Sequence, residues 1–270
     1  MKKQKKPKAK ISNSTKKESD SSPKIPQKDK IDRQLNIYER SDLLPKQLEL
    51  IDIIEDKNTK VVFVKGPAGT SKTFTAIYAA LKLMNKKAVS DIVYVRTIAE
   101  SASKSLGSLP GEANDKMAPF LMPLRDKLDE LLPKQDVDML IKEERVQGIP
   151  VNYLRGASIN AKVVIIDEAQ NLNRKELITA LTRIGKFSKF IVLGDEFQSD
   201  IKDSGFMKMF DLFNDQSSKE QGIYSFAFTK DDIVRSGVLK FIVEKIEGTY
   251  TPPESDGFIR PTNTDWKPGE

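Results

Sequence analysis

The run Val61-Val62-Phe63-Val64 leads through Lys65 into Gly66-Pro67-Ala68-Gly69-Thr70-Ser71-Lys72-Thr73, and then into a stretch of helical periodicity, 72–85. No other feature narrows the fold as much. An unbroken β-branched and aromatic run reads as a strand buried on both faces, which calls for helices on both sides of a parallel sheet. In the octet that follows, the backbone N–H groups of 69–73 gather at a helix N-terminus, where the macrodipole favours anions. The pattern G-x4-G-K-[ST] fits with one departure, Ser71 standing where its second glycine belongs. Such a loop wraps a phosphate chain, with Lys72 as a point charge for the β- and γ-phosphates and Thr73 as a hydroxyl for Mg²⁺. Taken alone, it also reads as an ordinary Gly-rich strand-to-helix turn.

A second buried run, KVVIIDEAQN at 162–171, ends in Asp167-Glu168 about a hundred residues on. Two carboxylates then stand at the carboxyl edge of the sheet, where ligands of α/β proteins bind. Asp167 would hold Mg²⁺ through water and Glu168 would polarise an attacking water; a strand-terminal acidic helix cap is the plainer reading. The chain has no His and no Cys, so no imidazole base, thiolate zinc site or cysteine nucleophile is available to it. A third run, KFIVLGDEFQSDI at 189–201, ends in Gly194-Asp195 with Gln198 beyond. Gln198 either meets the γ-phosphate or lytic water, or belongs to a polar turn.

Alternating strands and helices fill the body, residues 32–247. Leu43–Ile54 is expected to be a helix with Leu44, Leu48, Ile51 and Ile54 on one face. Strands are expected at 61–65, 92–96, 163–167, 190–193 and 223–228, and helices at 72–85, 113–132, 136–146, 174–184 and 231–246. The segment 97–111 is rich in Ser and Gly. The predicted class is a single α/β P-loop domain with a mostly parallel sheet, helices on both faces and tails at either end.

Charge is unevenly placed. Residues 1–31 contain all of an arm with 11 Lys against three acidic residues, while the remaining chain holds 34 basic and 36 acidic residues. With Ile11 and Ile25 as the large aliphatics of residues 1–30 after Met1, the arm cannot bury enough surface to offset the entropy of ordering. It is either a phosphate-binding arm or a solubilising tail. Residues 248–270 hold four of the 14 prolines and read as an irregular tail whose Phe258 and Trp266 could dock. No apolar run approaches the roughly 20 residues of a membrane helix, and no apolar region follows the basic start as in a secretory signal. A cytoplasmic protein without membrane contact is expected.

Together these residues resemble the PhoH-like family of P-loop ATPases, related to superfamily 1 helicase cores. The similarity runs from about Leu44 to Glu247 through GPAGTSKT (66–73), VRTIAESASKSLGSLPGEANDK (95–116), YLRG (153–156), IIDEAQN (165–171), LTRIG (181–185), GDEFQSDI (194–201) and FTKDDIVRSGVLKFIV (228–243), in family order. Leu106-Gly107 through Leu109-Pro110-Gly111 sets it apart from generic ATPases. The resemblance implies a RecA-like sheet, with a further strand between those bearing the Gly-rich loop and Asp167-Glu168. It implies that Gln47 reads adenine, the alternative being an exposed helix Gln. Arg235 or Arg183 would be a finger on the γ-phosphate, or else a surface or capping residue. Arg96 and Glu100 would face nucleic acid or the nucleotide.

Helicases of that superfamily close ATP between two cores, and this body has room for one. The second half must come from another subunit or be absent, so a homo-oligomeric ring is expected, a hexamer among its possible forms. Fused PIN nuclease or KH domains, found in some relatives, are not expected, since 1–40 and 248–270 are short and polar. The combined reading is a Mg²⁺-dependent ATPase whose hydrolysis drives or gates action on RNA or another single-stranded nucleic acid. The alternatives are a slow-turnover, nucleotide-dependent assembly switch, which Ser71 and the near-neutral body favour, and a nucleic-acid binder with a vestigial nucleotide site.

Overall fold

Six short apolar runs become strands: β1 Val61–Lys65, β2 Asp91–Arg96, β3 Val146–Ile149, β4 Lys162–Asp167, β5 Lys189–Gly194 and β6 Ile223–Ala227. The structure is a computed structural model that describes residues 33–96, 113–154, 159–234, 237–246 and 248, with 113–120 described by backbone alone. All six strands pair in parallel in the order β3-β2-β4-β5-β1-β6. The strand between β1, which bears the Gly-rich loop, and β4, which bears Asp167-Glu168, is therefore β5. This is the RecA-like arrangement that the resemblance implied.

The helices are α1 Pro45–Glu55, α2 Lys72–Asn85, α3 Ala113–Leu131, α4 Lys134–Lys142, α5 Arg174–Leu181, α6 Phe206–Leu212, α7 Gln216–Glu220 and α8 Gly237–Ile246. Because side chains alternate along a strand, each central strand feeds two cores. Val62, Val64, Ile165 and Ile191 pack under α1, α2, α3 and α4, through residues such as Leu50, Ile77, Leu128 and Leu140. Phe63, Val164, Ile166 and Val192 face the other way, against Leu177 of α5 and Phe206 and Phe210 of α6. Both faces are covered, which is why the strands read as continuous apolar runs.

Several expectations need correcting, among them the helix expected over 231–246: Lys230–Asp232 is a separate 3-10 turn and α8 opens at Gly237. The helix expected over 136–146 ends at Lys142, and Val146 opens β3, an edge strand paired with β2. Asp136 is wholly buried, bonded to the Arg33 guanidinium and to the Asn36 N–H at 3.0 Å, so it anchors the entering strap of chain. On α1 the inward face is Gln47, Leu50, Ile51 and Ile54, while Leu48 is 49% exposed. The helix expected over 174–184 stops at Leu181, and α6 and α7, too short to show a period, were not expected.

Parallel strands put every strand's carboxyl end at one edge. Lys65, Arg96, Asp167 and Gly194 all lie there. Among the described residues no helix is long and apolar enough to cross a membrane.

Candidate active site

A cleft of about 480 Å³ opens at this carboxyl edge. Ala68, Gly69, Ser71, Lys72 and Thr73 line it from the loop after β1, Asp167 and Glu168 from the end of β4, Gln198 from the turn after β5, and Gln47 from α1. The remaining loop residues build its backing. A Cβ on Gly66 would come within 2.7 Å of the Phe228 Cβ, so the chain needs glycine there. The buried Thr70 hydroxyl donates to the Pro67 carbonyl at 3.0 Å.

Lys72 donates from Nζ to the carbonyls of Gly66 at 2.6 Å and Pro67 at 3.0 Å, latching the loop on itself. Burial draws its pKa below the usual lysine range, and the carboxylates of Asp195, Asp167 and Glu168 oppose that shift. Ser71 takes the left-handed conformation, φ 59° and ψ 32°, that the missing glycine would adopt freely. It keeps the backbone path at the expense of local strain. Its carbonyl accepts from both the N–H and the hydroxyl of Thr75, each at 2.9 Å.

The Asp167 carboxylate collects three donors. Thr73 Oγ1 reaches Oδ2 at 2.9 Å, the Tyr94 hydroxyl reaches the same oxygen at 2.5 Å, and the Glu168 N–H reaches Oδ1 at 3.0 Å. Tyr94, on β2, escaped the sequence reading, although a Tyr amid the apolar run IVYVR needs a partner for its hydroxyl. Burial, reinforced by Asp167, raises its pKa far above the usual phenol range.

Glu168 also has a left-handed backbone, φ 54° and ψ 40°. Its Oε2 accepts from Gln170 Nε2 at 2.7 Å, and its Oε1 lies 3.8 Å from the Arg96 guanidinium. Arg96 thus faces the cleft's own carboxylate. Gln170, buried and also unforeseen, ties two strand ends together: its Oε1 accepts the Asp195 N–H at 3.0 Å and its Nε2 also approaches the Gln198 carbonyl at 3.3 Å. The clue was a polar residue two positions after the strand's terminal carboxylates. Burial pushes the Asp195 carboxyl up, against the pull of Lys72 and of two backbone N–H groups.

Gln47 is 2% exposed, so it is no exposed helix Gln. Its Oε1 accepts the Leu44 N–H at 2.8 Å, capping α1. Beside it, Arg40 forks onto Asp42 at 2.7 and 2.8 Å and lies 4.7 Å from the centre of the Phe74 ring, flanking the cleft. Nothing in the sequence singled Arg40 out.

Arg183 does not come to this cleft. It follows α5 at the opposite edge of the sheet, where its carbonyl accepts the Ile159 N–H at 3.0 Å and its Nε is buried with no partner among the described residues. Arg235 and Glu100 lie outside the described residues.

The donors present fit Mg²⁺. One hydroxyl and one carboxylate in contact, with no cluster of three ligating side chains among the described residues, suit a small hard cation that keeps waters and takes phosphate oxygens.

A phosphate-binding loop on β1, an Asp-Glu pair on β4 and a strand between them define a P-loop NTPase. More narrowly, the chain belongs to the PhoH-like protein family, whose model matches residues 41–247. The PhoH-like protein of Mycobacterium tuberculosis (strain ATCC 25618 / H37Rv) is 34% identical over 201 residues, 73% of this chain and 55% of that one. That of Bacillus subtilis (strain 168) is 32% identical over 188 residues, 70% and 58% of the two chains. The chain thus spans little more than half the length of the curated relatives it matches. A solved structure described as "Structural Basis for DNA Unwinding at Forked dsDNA by two coordinating Pif1 helicases" is similar over 78% of this chain and 49% of its own, at 16% identity and a TM-score of 0.37, a likeness too slight to argue from.

Proposed function

We propose that this chain is a Mg²⁺-dependent ATPase whose turnover is coupled to RNA or another single-stranded nucleic acid. The observation that carries the reading is the 2.9 Å contact between Thr73 of the loop and Asp167 of β4, in a cleft that Lys72 and Glu168 also line. Thr73 and Asp167 would hold the cation, which when bound neutralises charge on the phosphate oxygens. The N–H groups of 69–73 and Lys72 bind the phosphates, Lys72 leaving its two carbonyls to do so. Glu168 polarises the attacking water, Gln198 orients it, and the low-dielectric cleft strengthens both interactions. Gln47 supplies its amide N–H₂ to the base.

Arg183 can act as a finger only on the cleft of a neighbouring subunit; Arg235 is the other candidate. The exposed face of α8, with Val238 68% and Ile246 69% exposed, supports assembly with further copies, and a ring satisfies both features. A second reading, slow turnover in an assembly switch, is favoured by the strain at Ser71 and the latched Lys72.

Steady-state ATP hydrolysis, with and without Mg²⁺ and single-stranded RNA, tests the proposal beside Glu168→Gln. RNA-stimulated turnover that the substitution abolishes supports it. Tight binding with no turnover, identical in the variant, leaves the switch.

A further inference from the structure

A second cavity, of about 600 Å³, opens at the amino edge of the sheet, between the loops that enter β1, β2 and β5. Its wall includes Leu83, Ala88, Ile184 and Phe187. Phe187 is 40% exposed on a backbone held at φ 60°. Around the rim stand Lys57 and Lys60 from the first loop, Lys87 from the second and Lys186 from the third, all exposed. None of these four is ion-paired among the described residues. Glu55 is the acidic lining residue, and one of its oxygens is already taken by Lys82 at 3.2 Å and Lys86 at 3.0 Å. Deeper in, Lys189 donates to the carbonyls of Asp56 at 2.5 Å and Thr59 at 2.7 Å, and the buried Thr59 hydroxyl has no partner among the described residues.

We propose that this cavity binds single-stranded nucleic acid, with a base against Phe187 and successive phosphates on Lys57, Lys60, Lys87 and Lys186. The inference rests on the reading that the chain acts on nucleic acid, and it gives that reading a place. An apolar recess with one exposed ring accepts a base of any sequence, since every base has a π-face. Lysines from three separate loops make a track for several phosphates. The rest of the chain beyond its basic arm carries a slight excess of acidic residues, so attraction of a polyanion to it must be local. The arm, with 11 Lys, carries the same sign of charge as this rim and so is no electrostatic match for it.

Three elements join the cavity to the nucleotide cleft. β1 and β5 begin here and end at the phosphate loop and at Gly194-Asp195, while α2 begins at Lys72 and ends beside Lys87. A strand seated here and a nucleotide at the other edge therefore act on the same rigid elements.

The test measures binding of a fluorescein-labelled oligouridylate, roughly 12 nucleotides long, to the full chain by anisotropy across a salt series. Replacing Lys57, Lys87 and Lys186 together by Ala should make the slope of log affinity against log salt shallower by about 2, at roughly 0.7 per phosphate contact. Phe187→Ala should weaken binding by about fivefold or more at unchanged slope, and Phe187→Trp should restore it. A fluorescent ATP analogue should bind all variants as it binds the parent chain, which shows that they fold. RNA binding that the triple variant leaves intact, and that deletion of 1–30 abolishes, overturns this site while the nucleic-acid reading stands. Absence of RNA binding by the parent chain at every salt concentration overturns both.

Discussion

Glu168 is held in a conformation that disfavours every residue with a Cβ, and its carboxylate is fixed by Gln170. Strain of this kind persists where surrounding structure over-determines it, as at sites that must aim a side chain. Glu168→Gln should lower steady-state ATP turnover by about 100-fold or more, the scale of a lost general base, with fluorescent-nucleotide affinity within a few-fold of the parent. Equal turnover in the two proteins would remove Glu168 from the mechanism. Ser71→Gly should relieve the loop by about 1 kcal/mol and raise Tm by about 2–4 °C for a domain of this size. A fall in Tm on scanning calorimetry would mean that the Ser71 side chain contributes more than its backbone costs. Tyr94→Phe removes a buried donor from Asp167 and should destabilise by about 1–3 kcal/mol in urea unfolding. It should also raise the Mg²⁺ concentration needed for half-maximal hydrolysis.

At the scale of elements, α1 separates pattern from packing. Helical spacing from Leu44 and Ile51 puts Leu48 rather than Leu50 on the inward face, but Leu50 is fully buried and Leu48 half exposed. Leu50→Ala should cost about 2–5 kcal/mol and Leu48→Ala should stay within about 0.5 kcal/mol of the parent, both measured by denaturant unfolding. The start of β5 offers a pH test. Burial lowers the Lys189 pKa to about 8, partly offset by Asp56. The unfolded chain then binds more protons than the folded one between about pH 8 and the ordinary lysine value near 10.4. Burying charged Lys189 therefore opposes folding fully below pH 8, and that penalty fades as pH rises through the window. Compared with Lys189→Met, the parent chain should gain relative stability from pH 8 to about 10 and none from pH 6 to 7. A flat difference across the range would mean that Lys189 titrates normally in the folded state.

For the whole molecule, the decisive fact is that Arg183 and the cleft occupy opposite edges of one sheet. A six-residue strand is about 20 Å long, beyond the reach of an arginine side chain. Completion of the site by Arg183 thus requires a second copy. Sedimentation of the chain with ATP and Mg²⁺ should show an oligomer. A monomer hydrolysing at full rate would rule out completion in trans.

Much of this was legible in the sequence because it is local. Strand-loop-helix order, the carboxylates at the end of β4 and the expectation of helices on both sheet faces follow from periodicity and from the phosphate-loop spacing. That β5 lies between β1 and β4 came from resemblance, not from any local pattern. What the residues alone did not reveal depends on contacts between distant segments. Val146–Ile149 is a strand because β2 offers it an edge; Tyr94 matters because β2 lies beside β4 and its hydroxyl meets Asp167. Gln170 joins two strand ends by accepting the N–H of Asp195, 25 residues further along the chain. The sequence by itself determined which groups could bind a phosphate chain. Tertiary structure alone decided which of them converge, because convergence is set by strand order and burial, and neither is a property of any short stretch of chain.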